Sequence, residues 1–402
     1  MRILFLTPRF CYPLLKGDTS RVYHQLKALS KDHEITLLSL AEKPVAPDDY
    51  QEVARLCERV IVVPLPRWQS MLNLARGALS TVPLQVSYYR SREVEQQLAS
   101  LLGSTHFDLI HVTLIRMLPY VWDRHRSGDR PPVPVVVDMI DSLTLNLADR
   151  RRQVSGLQRA AYNTEYRRVR AYEQAACSRF PELIVTSPAD KVELGGGENI
   201  TVLPMGVDTE RFHFVGAEGR DPATLIFTGN MGYHPNEEAV LWFASQVWPL
   251  LRAEHPTLRW QIVGTNPTDR VRALAATDEA QNGIAVLGWV PDVSDYLGRA
   301  TVSICPLRSG SGIQMKVQEA MSVGAPVVAT SIANRGVGGV AERDLMVADN
   351  APDFAAVVTR LLEDPAARAR LGHAGRAFVE QRFRWEQHAE QLTAIYRRLQ
   401  SI

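Results

Sequence analysis

Cysteine is scarce in this chain of 402 residues. Its four, Cys11, Cys57, Cys177 and Cys305, stand far apart and form no CxxC pair. That spacing excludes a zinc site built on paired thiolates and a disulfide framework, and it suits a reducing cytoplasm. Charge of one sign is missing too. The formal net charge is +1, so no global affinity for nucleic acid follows. No stretch approaches the roughly 18 consecutive apolar residues of a membrane span. The opening MRILFLT is too short for a signal-peptide core and meets Pro8 and Arg9 at once, so it reads as a buried first strand. Neither GxGxxG nor GxxxxGK[ST] occurs in the glycine-rich stretch considered below, which weighs against a dinucleotide enzyme and a P-loop NTPase.

What remains is an ordinary globular composition, 46% hydrophobic and 22% charged, in a chain long enough for two domains. Apolar runs at 2–7, 34–40, 58–65, 107–112, 133–139 and 182–187 lack the alternation of half-exposed strands. They predict parallel strands covered on both faces. A helix is expected over 20–31, with Ser20 as a good N-cap. A second series runs 224–230, 258–264, 284–290, 300–307 and 326–332. Strands alternating with helical segments mean βαβ units in two doubly wound sheets. The weakly periodic, Gly- and Pro-containing stretch 203–222 carries the boundary. We expect domains at 1–205 and 206–380, and an amphipathic closing helix over 381–400 with Trp385, His388, Leu392 and Tyr396 on one side.

The stretch PLRSGSGIQMKVQEAMSVGAPVVAT, residues 306–330, concentrates the chemistry. Gly310 and Gly312 bracket Ser311, and glycines there let the backbone approach a ligand and present amides to it. A helix is expected from near Ile313, with Ile313, Val317, Ala320 and Met321 facing inward and Lys316 and Glu319 on the other side. First-turn amides, the positive end of the helix dipole and an ammonium then converge on one place, which suits a phosphate or diphosphate. A carboxylate a turn further in suits ribose hydroxyls. The competing reading is a plain turn with a surface Lys316–Glu319 ion pair.

Two further segments bear on partners. Residues 145–179 carry eight arginines, Arg150, Arg151, Arg152, Arg159, Arg167, Arg168, Arg170 and Arg179. They fit either a dock for a lipid diphosphate or anionic headgroups, or a solvated basic helix face. Residues 68–79 place Trp68, Met71, Leu72, Ala75 and Leu79 on one helix side. A core-facing helix is the expectation and an interfacial one the alternative, so peripheral membrane contact stays open.

Taken in order, these motifs resemble a family-4 glycosyltransferase of the GT-B fold. The resemblance rests on PRFCYPLLKGDTSRVYHQLKALSKDHEITLLSL (8–40), FDLIHV, RFPELIVTSPADKVEL (179–194), LPMGVDTERF (203–212), FTGNMGYHPNEEAVLWF (227–243), IVGTNP (262–267), LGWVPDVSDYL (287–297) and the glycine-loop stretch. It implies two Rossmann-like domains facing a central cleft, the closing helix crossing back to the first. It also implies retaining transfer of a sugar from a nucleoside-diphosphate donor, with UDP- or GDP-sugars foremost. The acceptor hydroxyl would belong to a glycan, a lipid-linked sugar or a small molecule, in exopolysaccharide or cell-surface glycan assembly.

The resemblance assigns Gly229, Asn230, Gly264, Val290, Gly310, Ser311, Gly312, Lys316 and Glu319 to the donor, with Val290 at the nucleobase and Glu319 at the ribose. Gly17, Asp18, Ser20, Arg21 and Asp141 fall on the acceptor side. As an alternative, Asp141 caps the next helix.

Three departures stand out. Ser311 replaces the first glutamate of the family's E-x7-E motif, and Met205 replaces the linker asparagine. The usual arginine and lysine are absent from TGNMGYHPN, where Arg308 and Lys316 are the obvious substitutes. A histidine some members carry after the fourth strand aligns with Thr113, and His111 is assigned to the strand itself. No DxD motif stands at a strand end and no nucleophile–base pair is evident. Metal-independent, cofactor-free transfer is therefore expected, with Arg308 and Lys316 stabilising the leaving diphosphate and Asp141 orienting the acceptor. A GT-B nucleotide-sugar 2-epimerase and a degenerate donor-binding subunit are the alternatives.

Overall fold

The computed structural model describes residues 1–14, 16–122, 133–152, 154–275, 282–310 and 312–400. The chain divides into two compact units, Met1–Pro204 with Trp385–Ile402, and Met205–Arg384.

In the first unit seven strands form one sheet: β1 (Arg2–Thr7), β2 (Glu34–Ala41), β3 (Arg59–Pro64), β4 (Leu109–Thr113), β5 (Val135–Ile140), β6 (Glu182–Val185) and β7 (Ile200–Val202). Their order is β3-β2-β1-β4-β5-β6-β7, and every pair is parallel. Strand order reverses between β1 and β4, so the loops leaving their carboxyl ends diverge and open a crevice. The apolar runs are buried as a continuous pattern expects: all of β4 and β5 and five of the six residues of β1 are buried. The triplet ITV of β7 was not anticipated, being too short to carry a period.

Helix α1 (Gly17–Leu29) begins three residues before the expected start. The Ser20 amide already bonds the Lys16 carbonyl at 2.9 Å, so Ser20 lies inside the first turn and is not the N-cap. Lys16 is the N-cap, and the Thr19 hydroxyl, in the first turn, accepts from its amide at 3.3 Å. Further along come α2 (Arg67–Ala78), α3 (Leu143–Arg152) and α4 (Gly156–Arg179).

The second unit repeats the plan with β8 (Thr224–Thr228), β9 (Arg259–Val263), β10 (Ile284–Gly288), β11 (Val302–Cys305), β12 (Val327–Ala329) and β13 (Met346–Val347), ordered β10-β9-β8-β11-β12-β13 and again wholly parallel. The two-residue β13 was not anticipated. Its switch point falls between β8 and β11. Helices α5 (His234–Trp242), α6 (Met315–Ser322) and α7 (Pro365–Arg382) flank the sheet. Strands β8 and β9 stop short of the expected 230 and 264 because Gly229 and Gly264 adopt φ of 155° and 141°. Both values lie in the region that favours glycine.

Helix α8 (Trp385–Gln400) returns to the first unit. It buries Trp385, His388, Leu392, Ile395, Tyr396 and Leu399, and packs with α1 in a core that includes Ile3, Phe5, Val22 and Leu26. The second unit ends at Arg384, beyond the expected 380, since Val207 pairs with Arg384 and its amide bonds the Phe383 carbonyl at 2.7 Å. At the other crossing the expected boundary of 205/206 lies at Pro204/Met205.

Candidate functional site

The carboxyl ends of three strands in the second unit are laced through glycine. The Gly229 amide bonds the Val263 carbonyl at 3.0 Å, and the Gly264 amide bonds the Gly288 carbonyl at 2.7 Å. The two turns approach so closely that a Cβ on Gly264 would sit 1.8 Å from the Gly229 carbonyl oxygen. No other residue fits there. Asn230 follows, its side chain accepting from the Gly232 amide at 3.0 Å and from Asn266 at 3.2 Å.

Lys316 reaches this turn from α6. Its ammonium donates to Asn236 Oδ1, and Asn236 Nδ2 donates to the Asn230 carbonyl at 2.9 Å. It also lies 4.7 Å from the centre of the Phe227 ring. A Cβ on Gly229 would come within 3.2 Å of the Lys316 nitrogen. Residues 87 positions apart in sequence thus meet at the switch point. Burial holds the ammonium below the usual lysine range, against the opposing pull of Cys305 and Glu319.

The glycine loop runs from β11 to α6. Gly310 and Gly312 take φ of 120° and 74°. Ser311 lies outside the described residues. The loop is backed by Gly336, where a Cβ would clash with the Gly312 carbonyl at 2.5 Å. Helix α6 starts at Met315, two residues later than expected, because Gly312 in its left-handed conformation and an extended Gln314 prolong the loop. Gln314 makes no side-chain bond to the first-turn amides. Val317, Ala320 and Met321 are buried as predicted, and Lys316 and Glu319 are half-buried on the remaining side. Burial raises the Glu319 carboxyl, while Arg211 and Lys316 draw it down. Arg211, bridged to Asp292 at 3.1 Å, carries no sequence signal that pointed here. Val290, half-buried, follows β10 by two residues and packs on the core of this unit.

Arg308 does not join this group. Its guanidinium lies over the Trp242 ring at 5.1 Å, in a cavity of about 530 Å³ shared with Glu237 and Glu238.

In the first unit the acceptor candidates separate. Arg21 is fully buried: its Nε donates to Asp138 Oδ2 at 2.7 Å and Nη1 to the Pro204 carbonyl at 3.3 Å. Gln25 shares Asp138 at 2.9 Å. Arg21 is therefore a structural cation, closed to any acceptor. His111 lies in β4, stacked on Phe5 and bonded through Nδ1 to the Tyr396 hydroxyl at 2.8 Å, and burial lowers its pKa to about 4.

Gly17 is exposed at the first turn of α1 with open space where a Cβ would be. Asp18 pairs with Arg9. Arg9 in turn donates to the Tyr89 hydroxyl at 2.9 Å, and Arg116 lies over the same ring at 5.4 Å. Of this Arg9–Asp18–Tyr89–Arg116 group only Asp18 was anticipated, because the others come from a loop, the end of a short helix and a 3-10 turn with no shared spacing.

Asp141 accepts from the Thr186 hydroxyl at 2.8 Å. Burial and Asp190 raise its pKa to about 6. It does not cap α3. Glu173 of α4 does, accepting from the Leu143 amide at 2.7 Å and the Thr144 hydroxyl at 2.6 Å. A cavity of about 610 Å³ opens beside this start of α3, lined by Gln85, Arg116, Leu143, Arg150, Tyr162 and Glu165 among others. Two buried polar atoms on its walls lack a protein partner, Arg116 Nε and Glu165 Oε2.

Two doubly wound units with these switch points match solved structures over their whole length. Sucrose-phosphate synthase from Thermosynechococcus elongatus superposes with a TM-score of 0.73 at 17% identity, covering 99% of both chains. Anabaena Alr3699/HepE, solved with UDP and glucose, gives 0.68 at 15%, covering 98% of this chain and 99% of that one.

The fold is GT-B.

Within the GT-B chain, residues 222–364 match the family model described as glycosyl transferases group 1. These residues carry the whole glycine-laced site. A GDP-mannose-dependent monoacylated alpha-(1-6)-phosphatidylinositol monomannoside mannosyltransferase from Corynebacterium glutamicum is 28% identical over 225 residues, 51% of this chain and 58% of that protein. The chain spans about half the length of the curated relatives it matches. Among the described residues no group of three or more His, Cys, Asp and Glu side chains is placed to hold a metal ion, and no helix is long and apolar enough to cross a membrane.

Proposed function

We propose that this GT-B protein is a retaining glycosyltransferase that moves a sugar from a nucleoside-diphosphate donor to an acceptor hydroxyl in glycan or glycolipid synthesis. The observation that carries the reading is the placement of Lys316 at the Gly229–Asn230 turn, fixed by Asn236 and flanked by the glycine loop. A half-buried ammonium at a glycine turn, beside a glycine loop that leads into a helix N-terminus, is an anion site. Glu319, one turn further along the same helix, receives ribose hydroxyls. Val290 offers its backbone to the base.

In the reaction the bond from the anomeric carbon to the donor phosphate breaks as the acceptor oxygen attacks from the same face. The departing phosphate oxygen takes the acceptor proton. Lys316 and the α6 amides hold the charge that gathers on the diphosphate, and that stabilisation is the main source of rate. No step requires a metal ion or an enzyme nucleophile. Arg308 has no part at the diphosphate in this reading. On the acceptor side, Asp141 and the 610 Å³ cavity with its unpartnered Arg116 and Glu165 atoms receive the incoming molecule.

Isothermal titration with UDP, GDP and ADP tests the donor site: one of them binds, and EDTA leaves its affinity unchanged. Binding of none would overturn the reading. Slow hydrolysis of the matching nucleotide sugar, with the anomer followed by NMR, tests retention.

A further inference from the structure

Helix α2 is turned inside out. A helix with one apolar side normally buries it, and here Trp68, Met71, Leu72 and Leu79, the last just past its end, are 66%, 61%, 48% and 95% exposed. At positions 68, 71, 72 and 79, with Ala75 between the last two, they fall on one side and form one stripe. What α2 buries instead are Ser70 and Gly77. The expectation of a core-facing apolar side is thus overturned, and the packing shows why. A Cβ on Gly77 would lie 2.5 Å from Ser87 Oγ, so the helix presses its smallest residue against the Leu84–Tyr88 segment. Asn73 donates to the Arg90 carbonyl at 2.8 Å on the same side. At its far end the guanidinium of Arg168, from α4, donates to the Ala78 carbonyl at 2.9 Å. These contacts fix the roll of α2, and the helix cannot rotate to hide its apolar stripe without breaking them.

The charge pattern indicates what covers the stripe. Arg67 and Arg76 are both exposed and flank it on opposite sides, and α2 contains no acidic residue. Helix α4, which holds the end of α2, adds exposed Arg159, Arg167 and Arg170. An apolar stripe with a tryptophan, edged by arginines whose stems are apolar and whose heads reach for phosphate, matches a bilayer interface. A second copy of this chain would bring two all-cationic edges together.

We infer that α2 is a membrane-docking helix. It lies in the plane of an anionic phospholipid surface, with Trp68, Met71, Leu72 and Leu79 inserted below the headgroups and Arg67 and Arg76 on the lipid phosphates. The inference is independent of the donor site and of the reading of the 610 Å³ cavity.

Sedimentation of the full chain with vesicles tests it, using phosphatidylcholine alone and phosphatidylcholine with about one-third phosphatidylglycerol. The native chain sediments with the anionic vesicles and only weakly with the neutral ones. The double variant Leu72→Glu, Leu79→Glu loses at least tenfold in partitioning, with circular dichroism and melting temperature unchanged because both side chains are exposed. The variant Arg67→Gln, Arg76→Gln loses about fivefold per arginine on anionic vesicles and nothing on neutral ones. Three results would overturn the proposal: no sedimentation of the native chain with anionic vesicles, equal sedimentation of native chain and glutamate variant, or a native dimer by light scattering that the glutamate variant converts to monomer.

Discussion

Lys316 owes its position to a neighbour. Asn236 holds the ammonium with one side-chain atom and the Asn230 carbonyl with the other, so a flexible stem ends at a defined point. Removing the charge removes a charge-assisted contact to any diphosphate bound at the turn. Lys316→Ala should weaken nucleoside-diphosphate binding at least tenfold, about 1.4 kcal/mol. Arg308→Ala, on the Trp242 ring, should change it by less than about twofold, since exposed charges act weakly at a distance. Titration calorimetry on both variants separates the two arginine and lysine assignments, and equal losses would return Arg308 to the site. Asp141 makes a different prediction. Its folded pKa is raised to about 6. A raised carboxyl stabilises the fold while protonated and loses that contribution as pH climbs through about 6. Asp141→Asn keeps an acceptor for Thr186 and carries no charge. Its melting temperature should match the native protein near pH 4 and exceed it at pH 8, by up to about 1–2 kcal/mol in stability after allowance for solvent access. A constant difference across that range would show that Asp141 titrates normally.

At the scale of elements, helix α3 starts where Glu173 collects two amides and two hydroxyls, from Ser142, Leu143 and Thr144. Glu173→Ala should cost about 2–3 kcal/mol, the loss of a cap and the exposure of buried donors. Glu173→Gln, which retains an acceptor, should cost less; chemical denaturation measures both.

Much of this level was legible in the residues. Continuous apolar runs gave the parallel strands, and the spacing of Gly310, Gly312, Lys316 and Glu319 gave a glycine loop followed by a helix with both charged residues on its less buried side. Illegible were the features that depend on packing between distant segments. Nothing in DMIDS says that Glu173, thirty residues on, takes the capping role. Nothing in SRVYHQ says that Arg21 points inward to Asp138. The apolar stripe of α2 has the same period whether it faces core or solvent, and only Gly77 against Ser87 decides which.

At the scale of the molecule, the first unit depends on α8, whose Leu392 and Tyr396 are wholly buried among its strands and α1. Leu392→Ala should destabilise that unit by about 2–5 kcal/mol. Calorimetric unfolding of the variant should show a lowered transition for the first unit, with the transition of the second unit unmoved. A matching drop in both would mean that the units unfold as one.

That dependence has a consequence for how the protein is made. The buried Arg21–Asp138 pair is closed over by α8, where His388 meets both Gln25 at 3.1 Å and the Pro204 carbonyl at 3.0 Å. A ribosome that has finished β7 has still to deliver the whole stretch Met205–Arg384 before α8 can leave the exit tunnel. At about 5–20 residues per second the wait is roughly ten to forty seconds. Throughout it the nascent first domain holds an ion pair without its cover and an apolar groove without its helix. A chaperone that shelters this groove during synthesis should therefore matter more to the yield of this protein than to that of one whose domains are each continuous in sequence.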